Sequence, residues 1–291
     1  MKISQLGEFG LIDALKKFAP VSKTVIRGIG DDAAVLPYSE SHYQLLTTDM
    51  LCEGTHFTRR MPPHSIGSKA MASSISDIAA MGGWPAYAVI SIGLPPDLPV
   101  SFIKEVYQGM QSVAGAFRVS MVGGDTVKSR QIILNVALSG LVEKKYLVTR
   151  DGAKAGDWIF VTGPLGGSFK SGRHLDFFPR LAQARFLVEN FKPHAMMDIS
   201  DGLSGDLNHI LEASRVGARL DTGAIPRPKG VSLSQALNDG EDFELLFTLG
   251  PAKARSLMGW QARKKSLYFY PIGTITKDVK EKIHAKSFTH F

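Results

Sequence analysis

Residues 65–83 have the sequence SIGSKAMASSISDIAAMGG, which predicts a helix over 65–81 that ends at Gly82-Gly83. One face of this helix carries residues at intervals of four, three and four: Ile66, Ala70, Ser73 and Asp77. Because the rest of the face is small or apolar, a buried Asp77 must be paired, protonated or bound to a metal ion. The alternative is a helix-edge position from which the carboxylate reaches solvent.

Strands and helices alternate on both sides of this helix. The first half is predicted to contain helices over 8–18 and 99–118 and strands over 43–48, 86–93, 119–125 and 132–142, of which 119–125 runs into a Gly-Gly-Asp loop. The second half is predicted to contain helices near 180–190 and over 203–214 and strands over 157–163, up to Asp198, and over 243–248 and 268–275. The charged, glycine-bearing segment 143–157 is interpreted as a linker. We therefore expect two α/β-type domains, 1–145 and 146–291.

Composition is that of an ordinary soluble protein. The chain has 291 residues, of which 44% are hydrophobic and 21% charged. No apolar run reaches the roughly 18 to 20 residues of a membrane span, and the N-terminal segment lacks the apolar region of a signal peptide. The single cysteine, Cys52, excludes an internal disulfide and a cysteine-based metal cluster. We expect a cytoplasmic location.

Charge is unevenly distributed. The net charge is +7, and residues 251–291 alone hold nine Lys/Arg against two Asp/Glu. Because these charges are interleaved with apolar residues such as Leu267 and Ile272, a solvated domain face is favoured over a nucleic-acid surface.

Carboxylates recur beside glycines or hydroxyls in six short segments: GIGDD (28–32), TTDM (47–50), SISD (74–77), VGGD (122–125), DISDG (198–202) and DGED (239–242). Each one alone has an ordinary explanation as a turn, a helix cap or a strand end. Together they suit divalent cations, which prefer oxygen ligands, while glycine and hydroxyl groups let phosphate approach the backbone. The set therefore indicates a Mg²⁺–polyphosphate site gathered from the whole chain.

The strongest single motif is DISDG (198–202), which joins a predicted strand to a predicted helix. The N-terminus of that helix offers unpaired N–H groups and favours an anion, although a plain capping cluster explains the motif equally well. No GxxxxGK[ST] occurs, so a P-loop is excluded. The glycine-rich TGPLGGS (162–168) is at least as compatible with a structural turn as with a phosphate loop. His56 is isolated and by itself predicts little.

Taken together and in order, these motifs resemble those of the thiamine-monophosphate kinase family. The matching segments are GEFGLI (7–12), GIGDDAAVL (28–36), TTDML with GTHF (47–57), SISDIAAMGG (74–83), GGDT (123–126), LVTRDGAKAGDWIFVTGPLGGS (147–168), MDISDGLSGDL (197–207), GARLD (217–221) and GEDFELLF (240–247). The family belongs to a superfamily with aminoimidazole ribonucleotide synthetase and selenophosphate synthetase, whose members bind ATP without a P-loop.

The resemblance implies direct phosphate transfer from ATP to thiamine monophosphate, in an α/β two-domain fold whose N-terminal domain forms a homodimer through its sheet. It implies Mg²⁺ ligands at Asp32, Thr47, Thr48, Asp49, Asp77, Asp125, Asp198 and Asp201. Gly124, Arg150 and Ser200 would contact ATP, and His56 and Glu241 the thiamine substrate. The chain departs from the family pattern at Asp239, Ala285 and Ser287, where a glycine, an aromatic residue and a glycine are expected.

Two competing interpretations remain at this stage. A selenophosphate synthetase would need a reactive N-terminal cysteine or selenocysteine near a lysine, and nothing of that kind precedes Cys52. A non-catalytic nucleotide-binding module could keep the glycines but would not need so many acids.

For a phosphate acceptor, several Mg²⁺ ions are expected to offset a repulsion of roughly 4 kcal/mol per charge pair at 4 Å and an effective dielectric constant near 20.

Overall fold

The computed structural model describes residues 2–264 and 266–282. Its helices are α1 (Ile3–Lys16), α2 (Pro63–Ala80), α3 (Val100–Ala116), α4 (Ser168–Ser171), α5 (Leu181–Asn190), α6 (Leu203–Ser214), α7 (Leu233–Asn238) and α8 (Pro251–Lys264). Its strands are β1 (Ala34–Pro37), β2 (His42–Cys52), β3 (Trp84–Leu94), β4 (Ser120–Lys128), β5 (Ile133–Glu143), β6 (Trp158–Val161), β7 (Ala195–Asp198), β8 (Gly217–Leu220), β9 (Leu245–Leu249) and β10 (Tyr270–Thr276).

The first half forms a five-stranded sheet in the order β1-β2-β5-β3-β4, in which only β3 and β4 run parallel. Side chains of β5 alternate between buried and half-buried, as expected for a sheet with one covered face. Residues of α2 and α3 share one apolar core with the inward residues of this sheet. The opposite face of the sheet remains open.

The second half forms another five-stranded sheet, in the order β7-β9-β6-β10-β8, with all pairs antiparallel. One of its cores includes α6, and the other includes α5 and α8. The second of these cores also contains Ala79 and Ala80, so the end of α2 packs against the second sheet. Helix α2 thus contacts both halves and is buried along most of its length, which its small side chains permit.

The predicted fold class, a mixed α/β structure in two halves, is confirmed, as is the interior position of the Asp77 face of α2. One local prediction is wrong: Gly123, Gly124 and Asp125 do not form a loop after a strand but lie within β4. Gly124 is needed there because a Cβ atom would lie 1.8 Å from the carbonyl oxygen of Ile90 on β3. Packing against β3 therefore explains the glycine at position 124, in addition to any role of Gly124 in leaving room for phosphate.

Five elements were not predicted: β1, β8, α4, α7 and α8. The first four are only four to six residues long, too short to show a period. Helix α8 buries only Ala254 and Leu257, and its charged residues are exposed, as expected for a solvated face. Ala285 and Ser287 lie outside the described residues. Among those described, no helix combines the length and apolar character of a membrane span.

Candidate functional site

A cavity of about 1120 Å³ is lined by residues of α2, of the first sheet and of the loops of the second half. Eleven of the thirteen predicted site residues line it: Asp32, Thr47, Thr48, Asp49, His56, Asp77, Arg150, Asp198, Ser200, Asp201 and Glu241. Gly124 and Asp125 are not among the lining residues. The cavity therefore gathers acids that are more than 100 positions apart in the chain.

The innermost group is made of three buried or half-buried carboxylates. Asp32 precedes β1, Asp77 lies on α2, and Asp198 ends β7; one oxygen of each lies within 4.8 Å of the others. Asp49, on β2, lies close enough to them to interact electrostatically. We refer to Asp32, Asp49, Asp77 and Asp198 as the cavity carboxylates.

Neutral hydroxyl groups hold three of the cavity carboxylates in place. Thr47 and Asp49 point inward from alternate positions of β2. From this position Thr47 Oγ1 donates to Asp77 Oδ2 at 2.5 Å.

Two more hydroxyl donors come from α2 itself. Ser74 Oγ lies 3.1 Å from Asp49 Oδ2 and Ser76 Oγ lies 2.6 Å from Asp198 Oδ2, so one helix orients acids of both halves. These donors fix direction but do not offset negative charge.

The electrostatic result is a set of carboxylates whose pKa values are raised, so that they ionise at higher pH than exposed aspartates do. Burial and then the charge of Asp49 raise the pKa of Asp77 well above its ordinary value. Burial and then the charge of Asp32 raise the pKa of Asp198 to about 8, and burial raises the pKa of Asp49 to about 6. Burial and the neighbouring charge of Asp32 also raise the pKa of Asp31 to about 7.

Arg150 provides positive charge in this wall. Its Nη2 donates to Asp32 Oδ1 at 2.7 Å, and its backbone N–H donates to Asp31 Oδ1 at 3.2 Å. The pKa of Arg150 is raised: burial opposes the charged form, but the adjacent carboxylates outweigh it. Arg150 belongs to the segment predicted to be a linker, which therefore connects the two sheets and also contributes to the cavity.

A second cluster lies at the start of α6. Asp201, Asp206 and His209 each offer a ligand atom within 4.8 Å of the others, and all three line the cavity. Burial raises the pKa of Asp206 well above its ordinary value and lowers the pKa of His209 to about 4. Asp206 and His209 were not predicted, although their spacing of three on a helix whose N-terminus carries Asp201 is a signal in the sequence.

The DISDG and DGED segments meet at the cavity. The backbone N–H of Glu241 donates to the Ser200 carbonyl at 2.6 Å, and the N–H of Phe243 donates to the Ile199 carbonyl at 2.8 Å. Gly202 adopts φ 102°, and a Cβ atom on it would lie 3.0 Å from the backbone of Asn238. Glycine at this position therefore permits the close approach of the two segments.

His56 and Glu241, the predicted acceptor contacts, are linked by a third residue. The buried Lys69 of α2 forms an ion pair with Glu241 Oε2 and donates to the His56 carbonyl oxygen at 3.1 Å. His56 Nδ1 also accepts a hydrogen bond from the Cys52 backbone at 3.0 Å. Lys69 was not predicted, although it lies one turn before Ser73 and two before Asp77 on the same helical face.

Other acids near Glu241 have a different role. Asp239 accepts from the Gly167 N–H at 3.0 Å, and Asp242 accepts from the Gly166 N–H, Ser168 Oγ and Arg173 Nη2 at 2.6 to 2.7 Å. These contacts hold the glycine-rich segment 162–168 as a structural turn.

Glu244 completes this second group of acids. It accepts from Thr162 Oγ1 and Arg180 Nε, each at 2.7 Å. We call Asp239, Asp242 and Glu244 the anchor carboxylates.

Thr48 and Asp125 lie on the open face of the first sheet, opposite to α2. Thr48 pairs with Ala137 on β5 and donates to or accepts from Asn135, and Asp125 pairs with Ser91 on β3. Three strand spacings, about 14 Å, separate their strands. Because Thr48 lines the cavity, the cavity extends onto this open face, but it does not reach Asp125 within one chain.

Two family models match this chain and define its class. The model of the AIR synthase related protein, N-terminal domain, matches residues 30–142, and that of the AIR synthase related protein, C-terminal domain, matches residues 140–286. The matched ranges coincide with the two sheets, so the chain has the two domains of the AIR synthase related class.

Individual relatives identify the family within this class. The chain is 37% identical over 276 residues to the thiamine-monophosphate kinase of Aquifex aeolicus, covering 85% of this chain and 87% of the relative. It is 32% identical over 303 residues to the Escherichia coli K12 thiamine-monophosphate kinase, covering 94% and 92%. The solved structure of AaThiL complexed with AMPPCP and TMP has a TM-score of 0.87 and 34% identity, covering 100% and 99%. The chain belongs to the thiamine-monophosphate kinase family.

Proposed function

We propose that this protein transfers the γ-phosphoryl group of ATP to thiamine monophosphate and releases thiamine diphosphate and ADP. The observation that carries the proposal is the cavity that gathers eleven of thirteen family-pattern residues from both halves. Family membership supports the choice of substrates, as does the related structure that contains AMPPCP, an ATP analogue, together with TMP.

The cavity carboxylates fit divalent cations such as Mg²⁺. Carboxylate oxygens are the ligands that Mg²⁺ prefers, and burial, followed by the charges of neighbouring carboxylates, raises the pKa values of Asp77 and Asp198. Within residues 2–264 and 266–282, Asp32 Oδ2 is buried and lacks a hydrogen-bond partner. Asp32, Asp49, Asp77 and Asp198 would hold the ions, with Thr47 and Thr48 as hydroxyl ligands and Asp201 as a ligand from the second cluster. When bound, the ions supply charge neutralisation for the phosphates.

The chain's own groups would bind and orient the two phosphate substrates. Arg150 and Ser200, which both line the cavity, are suited to the ATP phosphates, and the N-terminal end of α6 adds backbone donors. An acceptor phosphate is already ionised near neutral pH, so no strong general base is required. Catalysis would then consist of positioning and charge neutralisation, with no covalent intermediate on the protein.

Turnover gives the direct test of this proposal. The purified protein is incubated with ATP, Mg²⁺ and thiamine monophosphate, and thiamine diphosphate is measured by chromatography. Product that depends on all three components is expected. Omission of Mg²⁺ and replacement of the acceptor by free thiamine serve as controls.

Two other results would contradict the proposal. Thiamine diphosphate formed from free thiamine would contradict the acceptor. ATP binding without any product would favour a nucleotide-binding module. Incubation with γ-labelled ATP alone should leave no label on the protein, and a chaseable phosphoenzyme would contradict direct transfer.

We also propose that the protein acts as a homodimer that pairs through the open face of the first sheet. Leu46, Met50, Tyr87 and Val89 are 43 to 60% exposed on that face. Leu46 and Tyr87 both pair with Ser139, so the apolar surface is continuous across β2, β5 and β3. A second copy on this face would cover the side of the cavity formed by Thr48 and bring its own Gly124 and Asp125 toward it.

Mixing of inactive variants tests this arrangement. If Asp125 of one copy serves the cavity of the other, Asp49→Asn and Asp125→Asn homodimers are both inactive, while exchanged heterodimers hold one intact site in two. About a quarter of wild-type activity should then return on subunit exchange. Light scattering should give about twice the 31.6 kDa chain mass. A monomer mass would contradict pairing, and no recovery in a dimer that exchanges subunits would place Asp125 in its own chain's site.

A further inference from the structure

Lys69 is a buried cation directly behind the wall of the cavity. Its side chain is 0% exposed, and it is absent from the cavity lining, whereas the two residues that it contacts, His56 and Glu241, line the cavity. A buried ammonium group is costly unless it is paired and hydrogen-bonded. The contacts of Lys69 therefore determine how these two wall residues are held.

Three distant segments meet at the Lys69 ammonium group. Lys69 lies on α2, His56 lies in the turn after β2, and Glu241 lies in the loop before β9, 172 positions away from Lys69. Nζ pairs with Glu241 Oε2 and donates to the His56 carbonyl oxygen at 3.1 Å. One side chain thus fixes the distance between the two predicted acceptor contacts.

Glu241 has a backbone conformation that makes such support necessary. Its φ of 63° lies in the left-handed region, which a residue with a long side chain rarely adopts. Its N–H is fixed by the Ser200 carbonyl, but the side chain retains several rotamers that the ion pair reduces to one direction. Glu241 is 15% exposed, so its carboxylate is reached from the cavity.

We propose that Lys69 is a positioning residue for the phosphate acceptor, holding the Glu241 carboxylate in the arrangement that binds thiamine monophosphate. This inference rests on the proposed function and assigns Lys69 no contact with ATP. The pair also suits the acceptor's charges: the carboxylate favours the thiazolium cation, and the ammonium group reduces repulsion of the acceptor phosphate.

One other carboxylate faces Lys69. Asp49 lies near enough for its charge to act on Lys69, so Lys69 is also a potential electrostatic support of a cavity carboxylate. The two roles predict different kinetics. Support of Asp49 would change kcat and the Mg²⁺ requirement, whereas positioning of Glu241 would change the KM for the acceptor.

The experiment combines Lys69→Met, Glu241→Gln and the double variant. Methionine keeps the length of the side chain and removes its charge. Lys69→Met should raise the KM for thiamine monophosphate about tenfold or more and leave the KM for ATP within about twofold. If Lys69 acts through Glu241, adding Lys69→Met to Glu241→Gln should raise the acceptor KM no further.

Arg185→Met is the matched control. Arg185 is also a buried cation that joins the halves, with its Nη1 2.8 Å from Glu143 Oε2 and 2.6 Å from the Gly82 carbonyl, but it lies outside the cavity lining. Its loss should lower the Tm without changing the acceptor KM. If Lys69→Met behaves in the same way, or changes both KM values equally, Lys69 is only structural and the inference is wrong.

Two further measurements keep the inference testable. If Lys69→Met does not fold, the double variant, which removes both charges, is compared with Glu241→Gln, and a further rise in the acceptor KM overturns the inference. Calorimetric binding of thiamine monophosphate to the same variants makes the comparison without turnover. A wild-type protein that binds this ligand but forms no product contradicts the proposed function alone, while equal binding by wild type and Lys69→Met contradicts the Lys69 inference alone.

Discussion

Three of the cavity carboxylates and two of the anchor carboxylates are the same residue types in similar acidic segments, yet their hydrogen-bond donors differ; Asp32, which pairs with Arg150, is the exception in the first group. Asp49, Asp77 and Asp198 accept hydrogen bonds from neutral serine or threonine hydroxyls. Asp242 and Glu244 accept from arginines as well as from neutral donors. Among the described residues, Asp49, Asp77 and Asp198 form no ion pair at the cavity, whereas Asp242 and Glu244 are ion-paired with arginines and hold a turn.

This difference predicts that the first group serves cation binding and that the second group serves the stability of the fold. A hydroxyl orients a carboxylate and leaves its charge available for a cation, whereas an arginine neutralises it within the protein. Loss of charge in the first group should therefore impair activity and spare the fold. Loss of charge in the second group should do the reverse.

The largest expected effect is on activity. Asn in place of Asp keeps the shape and removes the charge that holds Mg²⁺, so Asp49→Asn or Asp77→Asn should lower kcat by about 10²-fold or more, about 2.7 kcal/mol. Steady-state kinetics across a Mg²⁺ titration, with circular dichroism for folding, give the measurement. Folded variants with nearly wild-type activity would remove the metal-based mechanism. Asp49→Asn/Asp125→Asn should cost much less than the sum of its single changes, because shared ions act as a unit.

The next effect concerns stability in the second group. Asp242→Asn breaks a buried ion pair with Arg173 and should lower the free energy of unfolding by about 2 to 3 kcal/mol. Urea unfolding of this variant and of Asp77→Asn should show destabilisation only in the first. Equal destabilisation by both would mean that the two groups do not differ as their contacts indicate.

A smaller effect is expected in the pH dependence of stability without metal. Folding raises the pKa of Asp198 to about 8, of Asp31 to about 7 and of Asp49 to about 6, whereas in the unfolded chain aspartate ionises near 3.8. The folded state therefore binds more protons between about pH 4 and pH 8, so this contribution to stability is full below that range and is lost as pH rises through it. The Tm should fall by several degrees from pH 5 to pH 8.

Added Mg²⁺ and the variant Asp198→Asn test whether the cavity carboxylates cause this fall of the Tm with pH. Mg²⁺ binds ionised carboxylates, so it should raise the Tm more at pH 8 than at pH 5. Asp198→Asn should flatten the slope of the metal-free protein. A slope unchanged in Asp198→Asn would assign the pH dependence to groups outside the cavity.

The smallest effect is expected at Cys52. Burial raises the pKa of its thiol, which disfavours the reactive thiolate, and the hydrogen bond to His56 uses its backbone rather than its side chain. Cys52→Ala should stay within a few-fold of wild type in kcat/KM. A loss of 10²-fold in a folded variant would show that the thiol contributes to the reaction.

The sequence predicted helix α2 and its inward face because hydrophobic periodicity is a local property. It also identified most of the acids that line the cavity, since the acidic segments occur at the ends of predicted elements. The same reasoning misplaced the segment at Asp125, because glycines and an aspartate are typical of loops and only the packing against Ile90 shows why Gly124 occurs within a strand. The spacing of Asp206 and His209 places them on one helical face, but spacing alone does not show that this face lines a cavity.

The sequence by itself determined the fold class, the family and a set of acids suited to metal and phosphate. Only the tertiary structure decided which acids remain uncompensated, which anchor a turn and which are paired with Lys69. The physical reason is that both ion pairs and hydrogen bonds depend on partners far apart in the chain: Asp32 meets the Arg150 cation across 118 positions, and Asp198 meets the neutral Ser76 hydroxyl across 122. Local periodicity sets the direction in which a side chain points, but the charges that it meets there are set by the packing of the two halves.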